Sequence, residues 1–161
     1  MAVDMLVKLY DLDEYEHIKH LETLKKEGIT FKRALPIDKH LILKYVRSHF
    51  TDTWVNECEV ALTTSPVTCF IAVKNQEIIG FACYESTAKG YFGPLGVSKE
   101  LRGKGIGVLL TKKCLLAMKE AGFGYAIIGW VTDAVPFYQK CVGATIIENS
   151  FPGVYSRMID K

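Results

Sequence analysis

No run of apolar residues in this chain approaches the ~18 that a membrane-spanning helix needs, which argues against a transmembrane protein. Charge of one sign is equally scarce. The formal net charge is +2, too small to draw nucleic acid or an anionic membrane surface. No basic stripe with interleaved aromatics suggests a single-stranded nucleic acid either. The opening Met-Ala-Val-Asp-Met has neither the basic nor the apolar part of a signal peptide, so a cytoplasmic protein is expected. Cysteine is present but unpatterned. Cys58, Cys69, Cys83, Cys114 and Cys141 are odd in number and never spaced C-x-x-C, which predicts reduced thiols and no metal. His17 and His20, among glutamates and lysines, read as a solvated helix face rather than a ligand pair. There is no internal repeat, low-complexity tract or linker. The 161 residues fit one domain, and a 49% hydrophobic composition can build its core.

The remaining patterns alternate strand and helix. A strand over 6–12 precedes a charged helix over 14–27, closed by Gly28. A strand over 31–35 ends at Pro36, and Asp38 is placed to N-cap a helix over 41–50. Trp54, Val55, Cys58 and Ala61 or Leu62 set a helical period over 53–62. Residues 68–74 and 77–85, β-branched and aromatic around Asn75-Gln76, read as a hairpin. The strand over 91–98 contains Pro94, which lacks an N–H, and Gly96, which weakens pairing, so a bulged or splayed strand is expected. A helix over 105–121, with Ile106, Leu109, Leu110, Ala117 and Ala121 on one face, ends at Gly122. A buried strand over 125–130, a helix over 134–141 and final strands over 144–148 and 155–159 complete the order. The class is α/β (α+β), with a mixed sheet flanked by helices.

The most informative stretch runs from Gly93 to Leu110, where a strand enters a glycine-rich turn that opens a helix. Arg102, Gly105 and Gly107 stand in an R-x-x-G-x-G arrangement, with Gly103 and Lys104 between them. Glycines let amides approach a ligand, and a helix start exposes unpaired N–H groups and the positive end of its dipole. Such a turn suits a phosphate, with a pyrophosphate the natural guest. A dinucleotide fingerprint is excluded because Leu110 stands where its third glycine belongs. A P-loop is excluded because Gly103-Lys104 is followed by Gly105 and no hydroxyl.

G-P-x-G-V followed by R-x-x-G-x-G resembles the GNAT superfamily of acetyl-CoA-dependent acyltransferases, and the element order resembles that fold from about residue 31 onward. The resemblance implies a mostly antiparallel GNAT-like sheet with a bulged fourth strand, and makes residues 1–29 a strand–helix addition. It implies acetyl-CoA as cosubstrate, with the pantetheine arm on the backbone of Leu95 and Val97. An amide near Val97 would stabilise the thioester oxyanion. Arg102, Gly103, Lys104, Gly105, Ile106 and Gly107 would cradle the pyrophosphate. The segment Ala134-Val-Pro-Phe137-Tyr138-Gln-Lys140-Cys-Val-Gly143 resembles the family's A-x-x-F-Y segment, which makes Tyr138 the general acid for the departing thiolate. The family's frequent asparagine three residues before that alanine is Val131 here, which removes one expected coenzyme contact.

The general base stays open among Glu85, Asp52, Glu57 and Glu59, each of which also reads as a surface charge. The missing obvious base favours a weakly basic amine. Covalent Cys–His catalysis is disfavoured, because the cysteines sit in apolar patterns. The C-terminal pattern resembles, more weakly, bacterial glucosamine and glucosaminide N-acetyltransferases. That implies a small-molecule amine acceptor, with Trp54, Tyr84, Trp130 and Tyr155 facing a sugar and Glu57 or Glu85 gripping its amine. Peptide, polyamine and antibiotic amines stay open, and a homodimer is allowed. The rival reading is a non-catalytic acyl-CoA sensor or interaction module.

Overall fold

Alternation of side chains builds the centre of the sheet, as the computed structural model, which describes residues 1–160, makes plain. In β3 (Cys69–Lys74) and β4 (Glu77–Tyr84), successive residues point to opposite faces. Phe70, Ala72, Ala82 and Tyr84 enter one core, while Cys69, Ile71, Phe81 and Cys83 enter the other. Asn75 and Gln76 join the two strands with positive φ at both positions, the geometry that suits a twisted hairpin.

Five further strands extend this pair. They are β1 (Val3–Lys8), β2 (Ile29–Arg33), β5 (Tyr91–Val97), β6 (Tyr125–Val131) and β7 (Thr145–Ile147). The sheet runs β2-β3-β4-β5-β6-β1-β7, antiparallel throughout except where β5 meets β6. On one face lie α1 (Ile18–Lys26), α4 (Ile106–Glu120) and α5 (Val135–Val142), with Leu24, Leu109, Leu110, Leu115 and Met118 at the centre of their core. On the other lie α2 (Lys39–His49) and α3 (Asp52–Leu62), packed through Ile42, Val46, Val55 and Leu62. Truncating one of these fully buried aliphatic side chains to alanine costs about 2–5 kcal/mol.

Several expectations need correction. The final strand over 155–159 is instead a 3-10 helix, Gly153–Arg157. The place beside β7 is taken by β1, whose Met5 and Leu6 pair with Ile146 and Thr145. The first strand starts earlier than 6–12, and residues 9–11 form a 3-10 turn. Asp38 stands at the cap position of α2, but its side chain makes no capping hydrogen bond. Thr51 caps α3 by accepting the Trp54 amide at 3.4 Å. Ala121 ends α4 and is exposed, and Cys114, Leu115 and Met118 carry the buried face in its place.

The two histidines are not a solvated face. His17 is buried, and burial followed by the nearby Lys113 and Lys112 pushes its pKa down. His20 shares a 2.8 Å hydrogen bond with the carbonyl of Lys104. The missed signal is a set of charges facing α4. Glu14 pairs with Lys119 at 3.3 Å, Glu16 with Lys112, and Glu27 with Lys104 at 3.0 Å. Each partly exposed pair contributes only ~0–1 kcal/mol, so Leu21 and Leu24 hold this segment down while the charges set its register.

Candidate active site

The sheet opens between β5 and β6. Their parallel pairing is confined to Tyr91 with Ile127 and Phe92 with Ile128. Just beyond that last pair, both strands carry an irregularity. In β5, Phe92 faces Tyr84 and Leu95 faces Ala82, so the chain gains a residue at Gly93-Pro94, as Pro94 led us to expect. In β6, Ile128 faces Met5 and Val131 faces Val3, so the extra residue falls at Gly129-Trp130. Two bulges opposite each other turn the strands apart.

The open edge of β5 follows from its register. The Ser98 amide donates to the Ile79 carbonyl at 2.9 Å, so alternate residues bond to β4. Gly96 therefore faces β4, and Leu95 and Val97 turn their N–H and C=O groups toward the opening. The Val97 carbonyl accepts from Arg102 Nε at 3.3 Å on that side. A Cβ at Gly96 would collide with the Phe50 ring, so glycine lets this residue, just past the end of α2, lie on the strand.

The start of α4 adjoins this edge. A Cβ at Gly107 would lie 3.8 Å from Val97 and 4.0 Å from Leu95. The Leu109 amide makes the first intrahelical bond, to the Gly105 carbonyl, leaving the amides of Ile106, Gly107 and Val108 at the helix end. No side chain caps this terminus, and Gly105 takes φ +81° to turn the chain into it. The charged residues are less available than their spacing suggests. Arg102 donates to Val97, and Lys104 is paired with Glu27. Ile106 is buried and offers only its backbone. The positive field at this end combines the Arg102 charge with the backbone amides and the helix dipole.

A cavity of about 660 Å³ fills the opening between the strands. Leu95, Tyr138, Trp54, Glu57, Trp130 and Tyr155 line it together. Tyr84 and Glu85 do not. Tyr84 is buried in the α4-side core and accepts from Arg33 at 2.7 Å. Glu85 accepts the Gly90 amide and closes its own hairpin loop. Asp52 is exposed and Glu59 pairs with Lys39 at 3.3 Å. Of the four carboxylates considered as bases, Glu57 alone lines the cavity. It accepts from the Thr87 hydroxyl, and burial raises its pKa against the lowering effect of that bond. Tyr138 packs edge-on to Phe92 and Phe137, and burial holds its pKa well above the ordinary tyrosine value. Val131, in place of the expected asparagine, offers the cavity only an apolar side chain.

Several positions in and around the cavity had no local signal. Gly129 leaves room for the Tyr155 hydroxyl, with which a Cβ would collide. Buried Asp4 accepts the Trp130 amide at 3.0 Å and so fixes the bulge from β1. Thr87 and Phe151 come from loops. The cysteines hold a further grouping, since Cys58, Cys69 and Cys83 bring their sulfurs within 4.8 Å of one another. These three thiols could hold a thiophilic ion, but they are buried in the α2–α3 core and do not line the cavity. No helix among the described residues is long and apolar enough to cross a membrane.

Similarity to known proteins agrees with this architecture. N-alpha-acetyltransferase 30 of Schizosaccharomyces pombe is 30% identical over 106 residues, which are 60% of this chain and 63% of that protein. A glucosamine N-acetyltransferase region of a fungal multi-domain β-N-acetylglucosaminidase superposes with a TM-score of 0.73 at 18% identity, covering 91% of this chain and 20% of that one. A GCN5-related N-acetyltransferase from Sphaerobacter thermophilus gives 0.65 at 20% identity, covering 91% of this chain and 48% of that one. The chain thus spans less than two thirds of each relative, and at these identities the two structures establish the fold alone. The family model described as the Acetyltransferase (GNAT) family matches residues 37–144, and by that match over more than half its length this chain belongs to the GNAT acetyltransferases.

Proposed function

We propose that this protein is an N-acetyltransferase that moves the acetyl group of acetyl-CoA directly to a primary amine of a small molecule, with an amino sugar among its candidate acceptors. One observation carries the reading. The paired bulges open the sheet into a single cavity lined by the edge of β5, by Tyr138 and by Glu57, with the bare start of α4 beside it.

The residues present fit the coenzyme. The amides of Ile106, Gly107 and Val108 suit a pyrophosphate, with Arg102, Gly103, Lys104 and Gly105 forming the turn around it. The outward backbone of Leu95 and Val97 suits an amide-bearing chain that completes their hydrogen bonding. Acetyl-CoA supplies an activated acyl group that needs no covalent enzyme intermediate. Glu57 then serves as the base. Desolvation brings its pKa toward the range where it can take a proton from an ammonium. Tyr138, kept neutral by burial, gives a proton to the leaving sulfur. Overall, one ammonium and one thioester become one amide, one thiol and one proton.

We further propose that the chain works as one domain, with residues 1–29 as an addition whose β1 braces the acceptor side and whose α1 braces the turn before α4. Five free cysteines, four of them buried, suit a reducing cytoplasmic setting.

Thiol release from acetyl-CoA, followed across glucosamine, polyamines, aminoglycosides and peptides with a free N-terminus or lysine, tests the reading. Amine-dependent release is expected. Tight acetyl-CoA binding with no release for any amine would make the protein a sensor of the coenzyme instead.

A further inference from the structure

The acceptor half of the cavity has an unusual charge inventory. Among the described residues that line it, Glu57 is the one side chain that carries a formal charge. No lysine, arginine or histidine lines it, and no second carboxylate does. The other polar groups are neutral, among them Thr51, Asn56, Thr87, Thr132 and the hydroxyls of Tyr138 and Tyr155. A charged group brought into a partly desolvated cavity needs an opposite charge, and the penalty for leaving it unpaired is large. One ammonium finds Glu57. A carboxylate or phosphate on the same molecule finds no cation, and a second ammonium finds no second anion.

Part of the same lining is aromatic, and Trp130 within it is held in place. Trp130 takes φ +52°, a conformation that costs a bulky residue about 1–3 kcal/mol unless its surroundings enforce it. Asp4 enforces it by accepting the Trp130 amide from the neighbouring strand. Trp130 as a whole stays 45% exposed while Tyr155 and Phe151 meet its ring edge-on at 4.9 Å and 5.1 Å. A fixed, partly exposed aromatic residue in the same cavity as a lone carboxylate suits a flat, uncharged body attached to an amine.

Resting on the acetyltransferase reading above, we infer that the acceptor is a primary monoamine whose ammonium is its only charge, its uncharged body lying against Trp130 and Tyr155. This excludes free amino acids, sugar phosphates and polyamines as efficient acceptors, and leaves uncharged amino sugars and aryl-bearing monoamines.

Matched pairs of amines at saturating acetyl-CoA test it. Phenethylamine is compared with phenylalanine, phenylalaninamide with phenylalanine, and glucosamine with glucosamine 6-phosphate, with spermidine alongside. In each reactive pair the singly charged member is expected to exceed its doubly charged twin by about 100-fold or more in kcat/KM. Trp130→Ala should raise the amine KM about tenfold while leaving the acetyl-CoA KM unchanged. Thr132→Lys, which brings a cation to the lining, should narrow the phenethylamine–phenylalanine gap to about tenfold or less. Twins that react equally, or spermidine as the best acceptor, would overturn the inference and leave the acetyltransferase standing. Activity confined to long peptides would overturn it too, since a flat monoamine would then be insufficient. Silence with every amine would strike the acetyltransferase reading itself.

Discussion

The turn before α4 and the cavity beside Trp130 are neighbouring sites built in opposite ways. The first is backbone. Its useful groups are the amides of Ile106, Gly107 and Val108 and the outward peptide groups of Leu95 and Val97, all from one stretch of chain. Of its charged side chains, Arg102 donates one bond to the Val97 carbonyl and Lys104 is paired with Glu27. The second is side chain. Trp54 and Glu57 come from α3, Thr87 from a hairpin loop, Trp130 from β6, Tyr138 from α5 and Tyr155 from the C-terminal 3-10 helix. A site made of amides would recognise what every molecule of the proposed coenzyme shares. A site made of dispersed side chains can change its guest without disturbing the first. Substitutions in the two halves should therefore separate cleanly into loss of coenzyme binding and loss of acceptor chemistry.

The largest effect is expected at Gly105. Glutamate there puts a carboxylate at an anion site, forces a non-glycine residue to φ +81° and drives its Cβ into the His20 ring. Acetyl-CoA affinity measured by calorimetry should fall about 100-fold or more. Gly105→Ala shares the backbone strain and the collision but not the charge, so it isolates the electrostatic part. If alanine weakens binding as much as glutamate does, crowding rather than charge governs this turn.

Next come two substitutions on the chemical side. Tyr138→Phe should lower kcat about 100-fold with acetyl-CoA affinity unchanged, and an unaltered rate would remove it as the acid. Glu57→Gln should lower kcat/KM by a similar factor of about 100 and flatten its pH dependence. The native rate should rise as pH climbs through the raised pKa of Glu57, because the carboxylate is the working form. Folding should not suffer. A raised carboxyl pKa means that the native state prefers the neutral form, so ionisation costs stability as pH rises past the ordinary value of 4.5. Glutamine keeps an acceptor for Thr87 and removes that cost, so its melting temperature at neutral pH should equal or exceed the native one.

The same division explains what could be read in advance. Gly93 to Gly107 announced a bulged strand, a glycine turn and a helix start, because proline and glycine act on the backbone wherever they stand. The hairpin at Asn75-Gln76 was legible from the β-branched and aromatic residues on either side of the turn. The acceptor half was only half legible. Trp54, Glu57, Trp130 and Tyr155 were among the aromatics and acids singled out, but so were Tyr84 and Glu85, which serve the core and a loop. Nothing local separates these groups, since the choice depends on which face of a strand each residue takes and on the bulge at Gly129-Trp130. Asp4, which holds that bulge, lies 126 positions away in sequence. Residues 155–159 failed as a strand: β7 ends the sheet beside β1, and the chain turns into a 3-10 helix over Gly153–Arg157. His17 and His20 failed because burial there comes from α4, far along the chain.

The smallest expected effect tests the comparison most finely. Glu27 brings a carboxylate to Lys104 at the proposed pyrophosphate turn, and Glu27→Gln removes it. Two consequences oppose each other. The lost ion pair is partly exposed and contributes ~0–1 kcal/mol, so α1 should loosen only slightly. The freed lysine and the missing negative charge both favour a phosphate, so acetyl-CoA affinity should rise about two- to fivefold at low ionic strength. Salt screens exposed charges over about 8 Å at physiological strength, so the gain should shrink as salt is added. The acceptor half should not respond, because Glu57 is partly buried and acts on its own guest. An affinity that falls instead would mean that α1, held by this pair, shapes the turn more than its charge opposes the coenzyme. In that case the N-terminal segment would belong to the coenzyme site itself.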